Sequence, residues 1–250
     1  MTASSVIAAL CLPADARVDQ RVPKKLLVEN CAPTAADKRQ INGGIEELHW
    51  LAALKPATVG VPIFRDDNRE YLEIAVLSLT PRAGAKAPRL TELIHRAIPY
   101  PVFLIQSQPS GLALSLAHLR WSQGQSGQTV LDGPLSTATM DTAAPATEAF
   151  LASLNVTNQP RQHLHALYQG WMERFEAHAA ARLTGSFTPA PDAAAAERRR
   201  AALAEHERLT REMTSLRARA GKETQLNRRV ELNLEIMRLE ASLRELGVRL

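Results

Sequence analysis

The C-terminal quarter of the chain decides the fold, and residues 197–250 read ERRRAALAEHERLTREMTSLRARAGKETQLNRRVELNLEIMRLEASLRELGVRL. Apolar side chains recur in its second half at steps of four, three, four, three and four, at Leu232, Ile236, Leu239, Leu243, Leu246 and Leu250. Such steps keep the apolar side chains on one side of a helix. Because Ala220-Gly221-Lys222 interrupts the pattern, we predict two long helices that fold back on each other at this point.

A second apolar row runs beside the first one and consists of Leu226, Val230, Leu234, Met237 and Ala241. A helix with two such rows can bury one row against its sister helix and offer the other to a partner. We therefore predict that the hairpin docks on a larger protein or on a second copy of this chain. The predicted interface comprises Leu226, Val230, Leu232, Ile236, Leu239, Leu243 and Leu246, and the anchors within it are Leu232, Ile236, Leu239 and Leu243.

The first three quarters of the chain mix helical and strand patterns. The predicted helices are 2–12, 35–54, 90–98, 147–154 and 161–183, and the predicted strands are 58–64, 71–79, 101–105 and 112–118. This order predicts an α+β fold with a small mixed β-sheet and flanking helices. The run 101–105 is short and apolar throughout, which is typical of a buried central strand.

The domain organisation follows from the position of the turn-forming residues. Gly185, Pro189 and Pro191 indicate a linker between the α+β part and the hairpin. We predict an α+β domain at 1–183, a linker at 184–196 and an antiparallel coiled-coil hairpin at 197–250.

Composition limits the class of protein. Hydrophobic residues make up 45% of the chain and aromatic residues only 4%, so the core must rest on aliphatic side chains. No apolar run approaches the roughly 20 residues that span a bilayer, and the apolar N-terminus lacks a basic leader. We expect a cytoplasmic protein without membrane contact. The two cysteines, Cys11 and Cys31, are expected to be buried thiols, because two cysteines make neither a disulfide framework nor a tetrahedral metal site.

Two basic stretches are candidates for binding nucleic acid. Near the N-terminus, the cations Arg17, Arg21, Lys24 and Lys25 fall within nine positions. The hairpin holds 13 Arg and Lys against 9 Glu, and its net charge of +4 equals that of the whole chain. Its densest points are Arg198-Arg199-Arg200 and Arg228-Arg229, of which Arg228 and Arg229 are the predicted contacts. Phosphate backbones attract such clusters. The alternative is a solvated loop followed by helices that form intramolecular salt bridges.

Four carboxylates lie around a predicted strand pair, at Asp66, Asp67, Glu70 and Glu73. Nucleases that use a metal-bound water place acidic residues on such strands, so Asp67 and Glu73 could serve a degenerate, metal-dependent nuclease. However, the lysine expected two positions after the second acid is missing, because Ile74 and Ala75 follow Glu73. The residues at the turn, Asp66-Asp67-Asn68, also suit a simple reversal of the chain.

The remaining motifs predict no catalytic centre. The histidines His163 and His165 are two positions apart on a predicted helix, so their side chains should point to different faces. Neither a glycine-rich phosphate loop nor a serine-centred nucleophile elbow occurs in the sequence. We predict no catalytic residue, no metal site and no cofactor.

Four sequence blocks point to a family. They are RVPKK at 21–25, the segment 45–50, IHRAIPYPVF at 94–103 and the segment 222–239. With them the chain resembles a bacterial family of unknown function, number 4391 in the domain-of-unknown-function series. The resemblance implies a small partner encoded beside helicases and DNA methyltransferases, in restriction-like or phage-defence gene groups, without an assigned activity. The hypothesis that follows is a non-enzymatic accessory subunit. The alternatives are a stand-alone nucleic-acid-binding module and the degenerate nuclease.

Overall fold

The computed structural model describes residues 2–31, 34–108, 111–124, 127–140, 146–247 and 250. The chain divides into two compact units, Met1–Phe175 and Glu176–Leu250. From the sequence, we predicted that the α+β domain ends at 183 and that the hairpin starts at 197. Within the described part of the chain, no helix combines the length and the apolar character needed to cross a membrane.

A six-stranded mixed sheet organises the first unit, with the strand order β1-β2-β5-β6-β7-β10. The strands of this sheet are β1 (Arg17–Arg21), β2 (Ile45–Leu54), β5 (Ile74–Pro81), β6 (Val102–Gln108), β7 (Gly111–Leu116) and β10 (Ser136–Met140). Only β5 and β6 run parallel, and all other neighbours are antiparallel. Two short ribbons accompany the sheet, one formed by β3 (Phe64–Arg65) and β4 (Glu70–Tyr71), the other by β8 (Leu119–Trp121) and β9 (Thr129–Leu131).

The helices of the first unit are α1 (Ala3–Leu10), α2 (Lys24–Cys31), α3 (Ala35–Gly44), α4 (Pro56–Val59), α5 (Ala87–Ala97), α6 (Thr147–Ser153) and the first half of α7 (Leu164–Thr184). The helix α5 connects the parallel strands β5 and β6, since a parallel pair needs a crossover rather than a tight turn. These elements confirm the predicted α+β class, with a mixed sheet and flanking helices.

The central strand β6 is buried on both faces, as its apolar sequence predicted. Leu104 belongs to a cluster that includes Leu48, Leu77 and Ile94 and that packs beneath α2, α3 and α5. Successive side chains of a strand point to opposite faces. Accordingly, the neighbouring Phe103 meets an aromatic group, with its ring centroid 5.0 Å from that of Trp171 and 5.9 Å from that of Phe175.

The prediction of one helix over 35–54 is wrong. The helix α3 ends at Gly44, and Ile45 begins the strand β2, which pairs with β1 and β5. Ile41 lies on α3, whereas Ile45 and Leu48 lie on β2. Their helical spacing in the sequence therefore does not reflect one continuous helix. Pairing on both sides of β2 supplies hydrogen bonds that an isolated helix pattern cannot anticipate.

Two smaller predictions also fail. Residues 58–59 of the predicted strand 58–64 belong to the short helix α4. Gly60 caps this helix with a φ of 63°, which favours glycine. The thiol of Cys11 is exposed rather than buried, and its Sγ donates to the Ala8 carbonyl at 3.3 Å. The side chain of Cys31 lies outside the described residues.

The second unit contains the predicted helical hairpin. The helix α8 (Ala193–Ala220) begins at the N-cap Asp192, whose Oδ1 accepts the Ala195 N–H at 2.7 Å. A turn over 221–225 leads into α9 (Leu226–Gly247), and the two helices pack against each other. The predicted reversal at Ala220-Gly221-Lys222 is therefore confirmed, and α8 begins four residues before the predicted start at 197.

Four polar side chains are buried between α5 and the sheet: Thr91, His95, Gln106 and Ser115. The Thr91 hydroxyl donates to Gln106 Oε1 at 2.7 Å, and His95 Nε2 lies 2.9 Å from Ser115 Oγ. Burial lowers the pKa of His95 to about 3, because an imidazolium without solvent is strongly disfavoured.

This buried imidazole makes the stability of the first unit dependent on pH. Its folded pKa of about 3 lies below the ordinary value of 6.5, so the unfolded chain binds more protons between these values. We expect His95 to lower the free energy of unfolding by about 1.4 kcal/mol per pH unit as the pH falls below 6.5. His95→Gln should remove this contribution. Urea titrations at pH 7, 6, 5 and 4, followed by tryptophan fluorescence, measure it, since all three tryptophans lie in the first unit.

Ser115→Ala is the matched control for this prediction. It removes the same hydrogen bond but keeps the imidazole that titrates, so it should lower stability at pH 7 while preserving the steep pH dependence. Equal slopes for His95→Gln and the wild type would contradict the assignment.

Candidate functional site

The two apolar rows of α9 have different surroundings. The inner row packs on α8, where Leu232, Ile236 and Leu239 form a cluster with Met213, Leu216 and Ala220. Leu243 is half-buried, and Leu246 lines a cleft within the hairpin together with Leu239 and Leu209. The predicted anchors Leu232, Ile236 and Leu239 thus pack on α8 of the same chain, and this packing holds the hairpin closed.

The outer row of α9 is exposed. Ala241 is exposed, and the large members Leu226, Val230, Leu234 and Met237 have exposed fractions of 64%, 49%, 51% and 63%. The name outer row is used below for these four large residues. The predicted interface included Leu226 and Val230 but omitted Leu234 and Met237, because the seven-residue rhythm of the inner row dominated the sequence pattern. The outer row thus stays exposed when the hairpin is closed.

The basic N-terminal segment divides into engaged and exposed cations. Lys24 Nζ donates to the carbonyl of Asn42 at 3.1 Å and to that of Ile45, and so satisfies carbonyls at the C-terminal end of α3. Burial, followed by the charges of Arg82 and Arg21, lowers the pKa of Lys24. The guanidinium of Arg21 makes a long hydrogen bond of 3.5 Å to the Glu46 carbonyl.

The other two cations of this segment remain on the surface. Arg17 is exposed on the edge strand β1, and Lys25 makes a 3.6 Å ion pair with Glu29, one turn further along α2. Lys24 therefore has contacts within the fold that Arg17 lacks, and the binding of nucleic acid by these four residues stays a prediction.

Of the four carboxylates around the predicted strand pair, Asp66, Glu70 and Glu73 have contacts within the fold. Asp66 Oδ1 accepts the backbone N–H groups of Asn68 and Arg69 at 2.8 and 2.7 Å, which fixes the turn between β3 and β4. Asp67, the second residue of that turn, is exposed. Glu73 is buried and pairs with Lys55 Nζ at 2.9 Å. Among the residues that the structure describes, no three metal-ligating side chains converge.

The prediction that His163 and His165 point to different faces is wrong. The helix α7 starts at Leu164, so His163 precedes it and accepts the Ala166 N–H on Nδ1 at 3.0 Å. The two imidazole centroids are 5.9 Å apart, and the ring of Phe64 lies within 4.8 Å of both. Burial, followed by the nearby His118, lowers the pKa of His165 to about 4.

His118 extends this group towards the interior. The Tyr71 hydroxyl is hydrogen-bonded to His118 Nδ1, and His118 Nε2 lies 2.9 Å from Gln169 Oε1. An amide oxygen only accepts, so Nε2 donates to Gln169, and in the neutral imidazole Nδ1 then accepts from the tyrosine. Sequence reasoning missed the group of Tyr71, His118, His165 and Gln169, because these residues come from β4, the segment after β7, and α7.

An aromatic cleft in the first unit was also missed. Its volume is about 330 Å3, and its lining includes Trp50, Tyr100, Leu26, Ile98 and Pro99. A second cleft of about 530 Å3 shares Pro99 and Tyr100 and adds Trp121. The blocks at 21–25, 45–50 and 94–103 all contribute to the first cleft. Only the paired strands β1 and β2 and the chain after α5 bring these distant blocks together.

The comparisons with known proteins give one match. A sequence model of a protein family described as "Domain of unknown function (DUF4391)" matches residues 10–243. No curated protein and no solved structure matches the chain.

The structural role of Lys24 can be tested directly. Lys24→Met removes the ammonium that bonds the Asn42 and Ile45 carbonyls and leaves these acceptors without it. We expect a loss of about 1.5–3 kcal/mol in the free energy of unfolding, the usual cost of losing a charged hydrogen bond. Lys25→Met is the neighbouring control and should change stability by less than about 0.5 kcal/mol. Equal effects of the two substitutions in urea titrations would contradict this role.

Proposed function

The chain belongs to the DUF4391 family, and we propose that it acts as a non-enzymatic interaction subunit whose helical hairpin docks on a protein partner. The observation that carries this proposal is the exposed outer row of α9. The partner class that the resemblance implies is a helicase- or methyltransferase-type DNA-processing protein of a restriction-like or phage-defence system.

The distribution of exposed apolar side chains supports docking through α9. Eight large hydrophobic residues of the described chain are exposed: Leu26, Ile63, Leu72, Leu183, Leu226, Val230, Leu234 and Met237. Half of them lie in the outer row, within 12 consecutive positions of one helix. Single exposed apolar residues are ordinary on a protein surface, whereas a contiguous apolar row marks an interaction site.

The packing of the hairpin explains why this row is available. The inner row already contacts α8, so the hairpin is closed without help from the outer row. From Leu226 to Met237 the row extends about 17 Å along the helix axis. A groove on a partner can accept such a helix face through residues spaced three and four positions apart.

Charge substitutions in the outer row test this function. We expect the double variant Leu234→Asp/Met237→Asp to lose the partner in affinity capture from the native cell. The reason is that carboxylates buried in an apolar interface lose their hydration. Circular dichroism should show unchanged helix content, because both side chains are exposed.

The matched control is Ala201→Asp/Ala204→Asp, which adds the same charges at two exposed positions of α8. It should retain the partner. Light scattering of the purified chain supplies a second readout. If the wild type is a dimer and only the α9 variant is a monomer, the outer row binds a second copy of this chain rather than another protein. Capture of the same partner by the wild type and the α9 variant would contradict docking through the outer row.

A further inference from the structure

The charge of the hairpin is concentrated at its closed end. We define the tip as residues 213–230, which hold Arg217, Arg219, Lys222, Arg228 and Arg229 against the single acid Glu223. The net charge of the tip is therefore +4, the same as that of the whole chain. By contrast, residues 231–247 of α9 hold two arginines and four glutamates, a net charge of −2.

Most of the cations at the tip are free to bind an anion. Arg217 is engaged, because its Nη2 lies 2.7 Å from Glu240 Oε1. The other four, Arg219, Lys222, Arg228 and Arg229, are exposed. Across the described ranges, no salt bridge holds any of these four. Elsewhere in the hairpin, Arg200, Arg208 and Arg211 do pair with glutamates.

Helix stability does not account for Arg228 and Arg229. Both lie in the first turn of α9, which begins at Leu226 and contains no acidic residue there. The helix dipole places partial positive charge at this end, so cations here are unfavourable by a few tenths of a kcal/mol or more. An anion at the tip would relieve this repulsion and would also accept from the N–H groups of residues 226–228, which precede the first helical hydrogen bond of α9, that from the Arg229 N–H to the Gln225 carbonyl.

The turn brings these charges together from two helices. Arg219 is one residue from the end of α8, and Arg228 is two residues from the start of α9. At about 1.5 Å per residue, the four free cations lie within roughly one helical turn of the end of the hairpin. A duplex carries one negative charge per about 1.7 Å of its axis, so several phosphates come within reach at once.

The residue types at the tip indicate which polyanion fits. No aromatic residue occurs in 213–230. Proteins that grip single strands stack bases on aromatic side chains, so the tip lacks that means of binding. Arginine and lysine suffice for contacts with a phosphate backbone, which fix position without reading sequence.

We propose that the tip of the hairpin binds the phosphate backbone of duplex nucleic acid, independently of base sequence. The four contact residues are Arg219, Lys222, Arg228 and Arg229. None of these four residues belongs to the outer row of the proposed function, although Leu226 and Val230 of that row adjoin them. The binding is measured with the purified chain and no partner protein, so it can fail without affecting docking through the outer row.

The salt dependence of binding tests the proposal. With a labelled 20-base-pair DNA duplex, fluorescence anisotropy on the full chain should give a slope of about −3.6 for the logarithm of affinity against that of salt, since each of four phosphates contributes about −0.9. Affinity should then fall about 150-fold between 50 and 200 mM salt. Arg228→Gln/Arg229→Gln should halve the slope, so that affinity falls only about 12-fold over the same range.

Arg238→Gln/Arg244→Gln is the matched control, because it removes two exposed arginines from the acidic part of α9. It should keep the slope of the wild type. Equal losses in both double variants would mean that net charge alone attracts DNA, and would overturn the assignment to the tip. Tighter binding of a single strand than of the duplex, or no binding at 50 mM salt, would overturn it as well.

Discussion

The parallel pairing of β5 with β6 is the constraint on which the first unit depends. A parallel pair cannot be closed by a short turn, so the chain must cross over through α5, and this helix then covers one face of the sheet. The other face must also be covered, because β6 carries the apolar Phe103 there, and the rings of Trp171 and Phe175 do so. The antiparallel strands β2, β1, β7 and β10 extend the sheet outward from this buried pair.

The sequence was most informative where one pattern had one explanation. The apolar run that became β6 is too short for a core helix, and the two apolar rows of α9 repeat over six turns. Both predictions depend only on local spacing, which the sequence carries in full. The failed prediction over 35–54 shows the opposite case, since Gly44 ends a helix at the point where a strand of compatible spacing begins. Only the strands on either side of β2 resolve the ambiguity.

The candidate sites were less predictable than the fold because they depend on contacts between distant segments. Charge density picked out Lys24 together with Lys25, yet the structure turns only Lys24 inward to the carbonyls at the end of α3. Similarly, the regular spacing of the inner row predicted an interface with a partner. The same spacing also suits packing on α8 of the same chain, where Leu232, Ile236 and Leu239 lie. By contrast, the outer row is exposed, and no salt bridge among the described residues holds Arg219, Lys222, Arg228 or Arg229.

The polar groups under α5 also determine how this helix can lie on the sheet. Thr91 and His95 are one helical turn apart, and each meets its own acceptor or donor, Gln106 on β6 and Ser115 on β7. Apolar side chains alone would tolerate a helix displaced along its axis by one turn, since similar surfaces would still meet. Here such a displacement would separate both pairs, and every buried polar group left alone would cost about 1–3 kcal/mol. The two hydrogen bonds thus fix the position of α5 along its axis, whereas the hydrophobic core by itself would accept several positions.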